Sequence, residues 1–286
     1  MDSYKTTSFT KEEKIARVCF NRPEVHNAFN STMIRELDDV VDKIGKDKSL
    51  RVVILTGNGK SFCAGADIKW LREIVDYSFE QNLEESLELA EVLYKIYVLP
   101  KPTIAMVNGT AFGGGTGFLS VCDIAVASED AKFGLSEVKI GLVPAAISPY
   151  VIRRIGEKNA REYFLTGERI SAQKAQEIGL VNKVVPHAKL KETVDETAKH
   201  LLTSGPEAIA SCKELIYKVP KMSFEEAKTY TARMIANLRV SEEGQEGTSA
   251  FLEKRKPSWI QEEGDKTENK TEEEDKTENT TEKKDK

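Results

Sequence analysis

No stretch of the sequence approaches the roughly 18 consecutive apolar residues that a membrane-spanning helix needs. The N-terminal segment MDSYKTTSFTKEEK also lacks the apolar stretch that follows the charges of a targeting peptide. The chain has 286 residues, of which 40% are hydrophobic, and this is the composition of an ordinary globular protein. We therefore expect a cytoplasmic protein, or the processed form of an organelle-matrix protein, without a membrane partner.

Cysteine and histidine are scarce and scattered. They are Cys19, Cys63, Cys122, Cys212, His26, His187 and His200. The cysteines lie far apart, mostly in apolar runs, and neither residue type is spaced like the ligands of a zinc site. The sequence therefore predicts reduced, buried thiols and does not indicate a disulfide framework, a metal site or histidine-based catalysis.

The net charge of -5 is concentrated at the C-terminus. Residues 261–286 carry eleven acidic and six basic side chains, which leaves 36 of each sign in the rest of the chain. This tail has no aromatic or branched aliphatic residue and repeats DKTEN, so we expect it to be disordered. The neutral body provides no general electrostatic reason to bind nucleic acid.

Extended and helical patterns alternate over the first 190 residues. Apolar runs predict strands at 15–20, 51–56, 103–107, 124–127 and 132–134. Helix signals predict helices that begin at Ser31, cover 79–98, and lie around 159–165 and 171–178. This alternation predicts an α/β fold with covered sheets, whereas only helical patterns follow after about Leu190. We expect an α/β core at 1–195, a helical region at 196–260 and the tail at 261–286.

Two glycine-containing segments lie where a predicted strand ends and a helix begins. They are SFCAGAD at 61–67 and NGTAFGGGTG at 108–117. Glycine lets a ligand approach the main chain closely, and the first amides of a helix have no partner within it. Two such segments that converge would form a donor pair for an oxyanion. Either segment alone is more often a tight α/β connection, and neither has the phosphate-binding or dinucleotide-binding glycine pattern.

Taken in order, several segments resemble the enoyl-CoA hydratase/isomerase (crotonase) superfamily. The resemblance covers about residues 15–256 and includes NRPEVHNAFN, SFCAGAD, NGTAFGGG, GLSE and, at its end, GTSAFLEKRKP. It implies a spiral α/β fold of repeated ββα units, with a C-terminal helical region that supports trimers, usually paired as hexamers. It also implies an acyl-CoA thioester as substrate and no metal or redox cofactor, because CoA enters as part of the substrate.

The resemblance assigns roles to individual residues. Ala66 and Gly114 match the two oxyanion-hole positions, whose backbone N–H groups bind the thioester oxygen, and Glu137 matches a catalytic glutamate. Contacts with substrate or CoA are implied for Ala64, Ala66, Asp67, Ile68, Gly114, Tyr150, Phe251 and Lys254. The last two would reach the CoA of a neighbouring subunit. For Asp67, Asn108 and Asp123, the residue types favour bonding in turns and helix caps.

Gly117 departs from the family's pattern. The standard hydratase has a second glutamate at this place, and two carboxylates divide the proton transfers of water addition naturally. An isomerase that moves a double bond needs only one base, so Gly117 favours isomerisation by Glu137 alone. A non-catalytic acyl-CoA-binding or scaffold protein is a further alternative.

The segment PAAISPYVI at 144–152 favours hydration instead. It resembles a branch of hydratases that act on branched substrates, such as methylglutaconyl-CoA, and that also have glycine at the place of Gly117. In this interpretation Ile147, Ser148 and Tyr150 rebuild the wall of the acyl pocket, and Arg153 meets a carboxylate. Helix capping and packing are the alternative roles. We therefore predict an enoyl-CoA hydratase, with a 3,2-enoyl-CoA isomerase as the second candidate.

Overall fold

The computed structural model describes residues 4–260, so the predicted acidic tail lies outside the described residues. The strands are β1 (Thr7–Glu12), β2 (Ile15–Phe20), β3 (Val52–Gly57), β4 (Ser61–Cys63), β5 (Thr103–Val107), β6 (Thr110–Phe112), β7 (Ile124–Ser128), β8 (Lys132–Gly134), β9 (Arg169–Ser171) and β10 (Lys183–Val185). The α-helices are α1 (Ser31–Lys46), α2 (Ile68–Glu73), α3 (Phe79–Val98), α4 (Gly114–Ser120), α5 (Ser148–Thr166), α6 (Ala172–Glu177), α7 (Leu190–Leu202), α8 (Pro206–Lys218), α9 (Phe224–Val240) and α10 (Glu242–Glu253). Short 3₁₀ helices lie at Pro23–Val25, Ile74–Asp76, Glu137–Ile140, His187–Lys189 and Val219–Lys221.

Two sheets divide the strands. The larger sheet has the order β1-β2-β3-β5-β7-β10, in which β1 and β2 pair antiparallel and the other neighbours pair parallel. The smaller sheet has the order β4-β6-β8-β9, in which β4, β6 and β8 are parallel. The successive strand pairs β3-β4, β5-β6 and β7-β8 each give one strand to each sheet before the chain enters a helix. The predicted spiral of ββα units is therefore confirmed.

The first long helix and the strand after it follow directly from their sequences. Asn30 caps α1 by accepting a hydrogen bond from the Met33 N–H at 3.0 Å. The predicted apolar face of this helix is buried, and it consists of Ile34, Leu37, Val40, Val41 and Ile44. Every residue of β3 is buried, as expected for a parallel strand that is covered on both faces.

The predicted boundary at residue 195 does not lie between two elements of the structure. That boundary falls inside α7, whose Val194 and Ala198 pack in one apolar cluster with strand residues such as Ile54. These contacts pack α7 against the larger sheet, and the division of the chain into a core and a helical region stays a prediction. The amphipathic period of α7 does not reveal whether its apolar face packs on the sheet or on other helices.

A largely buried ion pair fixes this helical region to the core. Lys213 of α8 has a side chain that is 8% exposed, and its Nζ lies 2.8 Å from a carboxylate oxygen of Asp123. The same ammonium group donates a hydrogen bond to the Lys101 carbonyl at 3.0 Å. The contact joins the first helix of the helical region to the loops beside β5 and β7.

All four cysteines are free thiols, but they are not all buried as predicted. Burial raises the pKa of Cys63 and Cys122 to about 12. Cys212 is exposed, because it lies on a part of α8 that does not face the core. Among residues 4–260, no group of three or more His, Cys, Asp or Glu side chains is placed to hold a metal ion. None of the helices in this range is long and apolar enough to cross a membrane.

Candidate active site

Three loops at one edge of the smaller sheet carry the predicted catalytic residues. Because β4, β6 and β8 are parallel neighbours, their carboxyl ends meet at the same edge. Ala66 follows β4, Gly114 follows β6 and Glu137 follows β8. The strand order thus brings together three residues that are far apart in the sequence.

The loop that contains Ala66 is held by a short parallel bridge to Phe29. The Phe29 N–H donates to the Gly65 carbonyl at 2.8 Å, and the Asp67 N–H donates to the Phe29 carbonyl at 2.9 Å. These two hydrogen bonds fix the main chain on both sides of Ala66 without using the N–H of Ala66.

The loop before α4 turns sharply at Gly113. This residue has φ 50° and ψ -121°, a conformation that glycine adopts readily and other residues rarely do. Its N–H donates to the Gly134 carbonyl at 2.9 Å, which ties the loop to β8. Gly114 then begins α4, and the first N–H of a helix has no acceptor within the helix.

Ala66 and Gly114 both keep a free main-chain donor. Within residues 4–260, neither N–H donates a hydrogen bond to another group, and both residues are partly exposed. Most backbone amides at such depth are paired, so two unpaired ones on neighbouring loops are available to a ligand. Such a donor pair can stabilise an oxygen on which negative charge develops.

Phe29 connects the two donor loops. Its main chain forms the bridge to Ala66, and its ring packs against Gly114. The ring is 4% exposed and has edge contacts with Trp70 at 5.6 Å and Phe118 at 5.8 Å between centroids. This packing holds the loops of Ala66 and Gly114 in a fixed relation to each other.

Glu137 lies at the start of the 3₁₀ helix that follows β8. Its Oε1 is 3.1 Å from the position that a Cβ on Gly113 would take, so the carboxylate lies beside the turn that precedes Gly114. Its Oε2 is buried and has no hydrogen-bond partner in the described part of the chain. Burial raises the pKa of the Glu137 carboxyl above its ordinary value. A half-buried carboxylate of this kind beside amide donors is suited to general acid/base catalysis.

Comparisons with known proteins show the family to which the chain belongs. The family model for enoyl-CoA hydratase/isomerase matches residues 10–262. The chain belongs to this crotonase family. A Thermus thermophilus relative named for enoyl-CoA hydratase activity is 38% identical over 245 residues, covering 85% of this chain and 96% of the relative.

Two crystal structures share the fold of this crotonase. The enoyl-CoA hydratase from Shewanella pealeana has a TM-score of 0.87 at 40% identity, with 90% of this chain and 96% of that chain covered. An enoyl-CoA hydratase/isomerase (crotonase) structure from Legionella pneumophila has a TM-score of 0.84 at 43% identity, with 90% and 100% covered.

The Asp67 carboxylate has a structural role in this crotonase. One oxygen accepts a hydrogen bond from the Lys69 N–H at 2.7 Å and caps α2, and the other lies 2.6 Å from Nη2 of Arg22. Burial acts to raise the pKa of Asp67, but the hydrogen bonds from Lys69 and Arg22 outweigh it and lower the pKa. The predicted contact of Asp67 with the substrate stays a prediction.

Arg22 and Phe29 support the loops of the candidate site, although neither residue type by itself indicates such a role. Nη1 of Arg22 donates to the Ala28 carbonyl at 2.6 Å while Nη2 donates to Asp67, so one guanidinium joins the segment that contains Ala28 and Phe29 to the loop that contains Ala66 and Asp67. Both residues belong to the segment NRPEVHNAFN. His26 and Asn27 in that segment adopt left-handed φ values of 54° and 56°. Asn and His enter this region more readily than most residues, so this pair is a sequence signal for a tight turn.

Asn108 and Asp123 hold turns, as their residue types predict. The Asn108 side chain donates to the Gly59 carbonyl at 2.9 Å. The Asp123 carboxylate accepts hydrogen bonds from the N–H and hydroxyl of Thr103, at 2.7 and 2.9 Å. Both side chains therefore stabilise loops that support the core.

The residues around the start of α5 are engaged with protein neighbours. The Ser148 hydroxyl donates to the Ala145 carbonyl at 2.8 Å. The ring of Tyr150 packs on Tyr97 with 5.1 Å between centroids, and burial raises the pKa of Tyr150. Arg153 donates to the Tyr97 hydroxyl at 3.3 Å. These contacts agree with the packing alternative but not with helix capping, because Ile147 is the N-cap of α5 and no side chain caps this helix. A contact of Tyr150 with substrate stays a prediction.

The remaining predicted binding residues are accessible. Ala64 is partly exposed beside the bridged loop, and Ile68, the first residue of α2, is 68% exposed. Phe251 is 82% exposed on α10, and Lys254 ends that helix with φ 57°. The roles of these four residues toward CoA, two of them across a subunit interface, stay predictions.

Proposed function

We propose that this crotonase is an enoyl-CoA hydratase, which adds water to the double bond of a 2-enoyl-CoA thioester. The observation that carries the proposal is the placement of the Glu137 carboxylate, with one buried and unpartnered oxygen, beside the turn that precedes the free amide of Gly114. In this site the two amides would hold the thioester oxygen and Glu137 would transfer the protons. Relatives named as hydratases support this reaction over others of the family.

The proposed reaction uses one carboxylate twice. The Glu137 carboxylate takes a proton from water while the water oxygen bonds to C3, and the electron pair of the double bond moves toward the thioester oxygen. The amides of Ala66 and Gly114 stabilise the resulting enolate, each by about 3 kcal/mol if they act like other oxyanion-hole donors. The protonated Glu137 then delivers the proton to C2 and returns to its starting state. CoA enters and leaves as part of the thioester, so the reaction as proposed requires no metal or redox cofactor.

A 3,2-enoyl-CoA isomerase is the second candidate, and Gly117 is the residue that favours it. With glycine there, Glu137 is the carboxylate that can remove a proton from one carbon and return it to another. The same enolate would form, and the same two amides would stabilise it. The two reactions therefore differ in whether a water molecule is positioned next to Glu137.

The acyl group is proposed to carry a branch near the double bond. The support is the segment at 144–152, which resembles that of hydratases for branched substrates such as methylglutaconyl-CoA. Trimers, usually paired as hexamers, are part of the same proposal, since several apolar side chains of the C-terminal helices are exposed, among them Phe224 and Phe251.

A panel of thioesters tests the proposal. The protein is incubated with crotonyl-CoA, with branched and carboxylated 2-enoyl-CoA esters, and separately with a 3-enoyl-CoA, while the ultraviolet absorbance of the conjugated thioester is followed. Hydration lowers this absorbance and isomerisation of the 3-enoyl ester raises it. Failure to hydrate any 2-enoyl-CoA would overturn the proposal, and turnover of the 3-enoyl ester alone would establish the isomerase. Equal turnover by wild type and Glu137→Gln would favour a non-catalytic, scaffolding role.

A further inference from the structure

Gly117 and Ile147 lie in direct contact between α4 and the start of α5. A Cβ on Gly117 would be 2.1 Å from Cγ2 and 2.8 Å from Cβ of Ile147. Both distances are far below van der Waals contact, so no side chain fits at position 117 while Ile147 keeps its place. The absence of a glutamate at position 117 is therefore coupled to the presence of isoleucine at position 147.

Ile147 is not free to move away. Its side chain is 3% exposed and belongs to the main apolar cluster of the core. Its carbonyl accepts hydrogen bonds from the N–H groups of Tyr150 and Val151, both at 3.1 Å, at the beginning of α5. A shift of Ile147 would disturb the first turn of this helix, so the conflict with a side chain at Gly117 is not relieved by a rotamer change alone.

We propose that Ile147 is the specificity-determining residue that restricts this site to a single carboxylate. The effect of Ile147 on catalysis rests on the proposed function, in which Glu137 performs both proton transfers. Ile147 fills with methyl groups the space in which a glutamate at position 117 would begin, so a second carboxylate has no room there. In the proposed site, a water molecule therefore has Glu137 but no second carboxylate as its partner.

A stability cycle tests the steric part of this proposal without reference to activity. Gly117→Ala, Ile147→Gly and the double variant are compared with wild type by thermal unfolding. Gly117→Ala is expected to lower Tm by roughly 5 °C or to prevent folding, because it overpacks the core. In the Ile147→Gly variant, adding Gly117→Ala is expected to leave Tm unchanged or to raise it, because the new methyl group fills part of the cavity.

Gly115→Ala is the matched control in the same helix. A Cβ on Gly115 would be 2.1 Å from the Cys63 carbonyl oxygen, and its three nearest atoms all belong to Cys63 rather than to Ile147. Ile147→Gly is therefore expected to suppress the defect of Gly117→Ala but not that of Gly115→Ala. If Ile147→Gly does not fold, Ile147→Ala takes its place with a smaller suppression, because the Cβ contact at 2.8 Å remains. Equal effects of Gly117→Ala in both backgrounds would overturn the proposal.

The catalytic part is tested by installing the missing carboxylate. Glu137→Gln is expected to lower kcat for hydration about 10³-fold in wild type. In the double variant Gly117→Glu/Ile147→Gly, the same change is expected to cost at least ten times less, because the new glutamate can transfer protons. Gly117→Glu alone is expected to fold poorly. If Glu137→Gln lowers kcat in the folded double variant as much as in wild type, Ile147 does not determine the number of catalytic carboxylates.

The two sets of measurements separate the possible failures. If wild type hydrates no thioester, the proposed function fails, while the stability cycle still decides whether Ile147 excludes a side chain at position 117. If wild type is a hydratase but Ile147→Gly does not suppress Gly117→Ala, the proposed function stands and the role of Ile147 is refuted.

Discussion

The ring of Phe29 lies where a side chain on Gly114 would begin, with its Cε1 2.4 Å from the position of a Cβ on that residue. Glycine at position 114 is therefore required by the ring as well as by the approach of a ligand to its amide. Because the main chain of Phe29 also bridges Ala66, a displacement of the ring would reach both proposed oxyanion donors.

Gly114→Ala is accordingly expected to damage catalysis through Phe29. The added methyl group must push the ring away, which misplaces one or both donors, and kcat for hydration should fall about 10²- to 10³-fold, the usual effect of losing one oxyanion donor. Steady-state kinetics with the best thioester of the panel measure the loss. Gly45→Ala in α1 is the control, since the nearest atom to its Cβ would be Leu99 Cδ1 at an ordinary 3.6 Å. Equal kinetics of both variants would show that Phe29 does not couple to the donors.

The raised pKa of Glu137 predicts the pH dependence of turnover. The carboxylate form is the one that accepts the first proton, so activity is present above the pKa and is lost as the pH falls through it. Because burial raises this pKa, the acid limb of kcat/KM should lie at higher pH than the ordinary range of a glutamate. A pH profile of kcat/KM measures the midpoint. A midpoint at or below the ordinary glutamate value would contradict the burial of the active carboxylate.

The same carboxylate should lower the stability of the fold at neutral pH. A carboxyl whose pKa is raised by folding binds its proton more tightly in the folded state, so ionisation favours unfolding as the pH rises from the unfolded pKa to the folded one. Glu137→Gln should therefore have a higher Tm than wild type at pH 8 although it is inactive. The difference should disappear at pH values below the pKa of the unfolded chain. A variant that is less stable than wild type at pH 8 would refute this account.

The elements that could be predicted are those with a strong local pattern. The bounds of β2, α3, β5 and β8 agree with the predicted ones, because apolar runs and 3.6-residue periodicity are local signals. The strands β4, β6 and β9 have only three residues each, which is too short for alternation to be recognised. They exist because they pair with one another in the smaller sheet, and that pairing is a long-range property.

The site was predictable to a similar extent. The resemblance to the family implies roles for Ala66, Gly114 and Glu137, because each lies in a segment that matches a family motif, and these roles stay predictions. The ion pair between Arg22 and Asp67 joins residues that are 45 positions apart, and no local sequence pattern predicts it. The distance between Gly117 and Ile147 is likewise a property of packed helices, so the sequence showed the missing glutamate but not the group that excludes it.

Arg22→Ala is expected to destabilise the fold by about 3 kcal/mol, because it leaves the Asp67 carboxylate buried without its cation. The two side chains are 15% and 7% exposed, so water cannot replace the guanidinium. Urea unfolding measures the change in the free energy of unfolding. Arg22→Lys keeps the charge but cannot bond Ala28 and Asp67 in the same fork geometry, so it should recover only part of the loss. A loss below 1 kcal/mol for Arg22→Ala would show that the ion pair contributes little.

The attachment of the helical region depends on the ion pair between Lys213 and Asp123, so Lys213→Met should loosen that region. The expected loss is about 2 kcal/mol, less than for a fully buried pair, because the Asp123 side chain is 30% exposed. Methionine fills similar space, so lost packing does not account for the effect. Limited digestion with proteinase K, which does not require a lysine at the cleaved bond, should cleave the variant faster near the junction of α7 and α8. Lys218→Met on the same helix removes an exposed pair with Glu214 and should change neither stability nor cleavage. If both variants behave alike, the helical region is held by its other contacts, and the Lys213 pair only adds specificity to its docking.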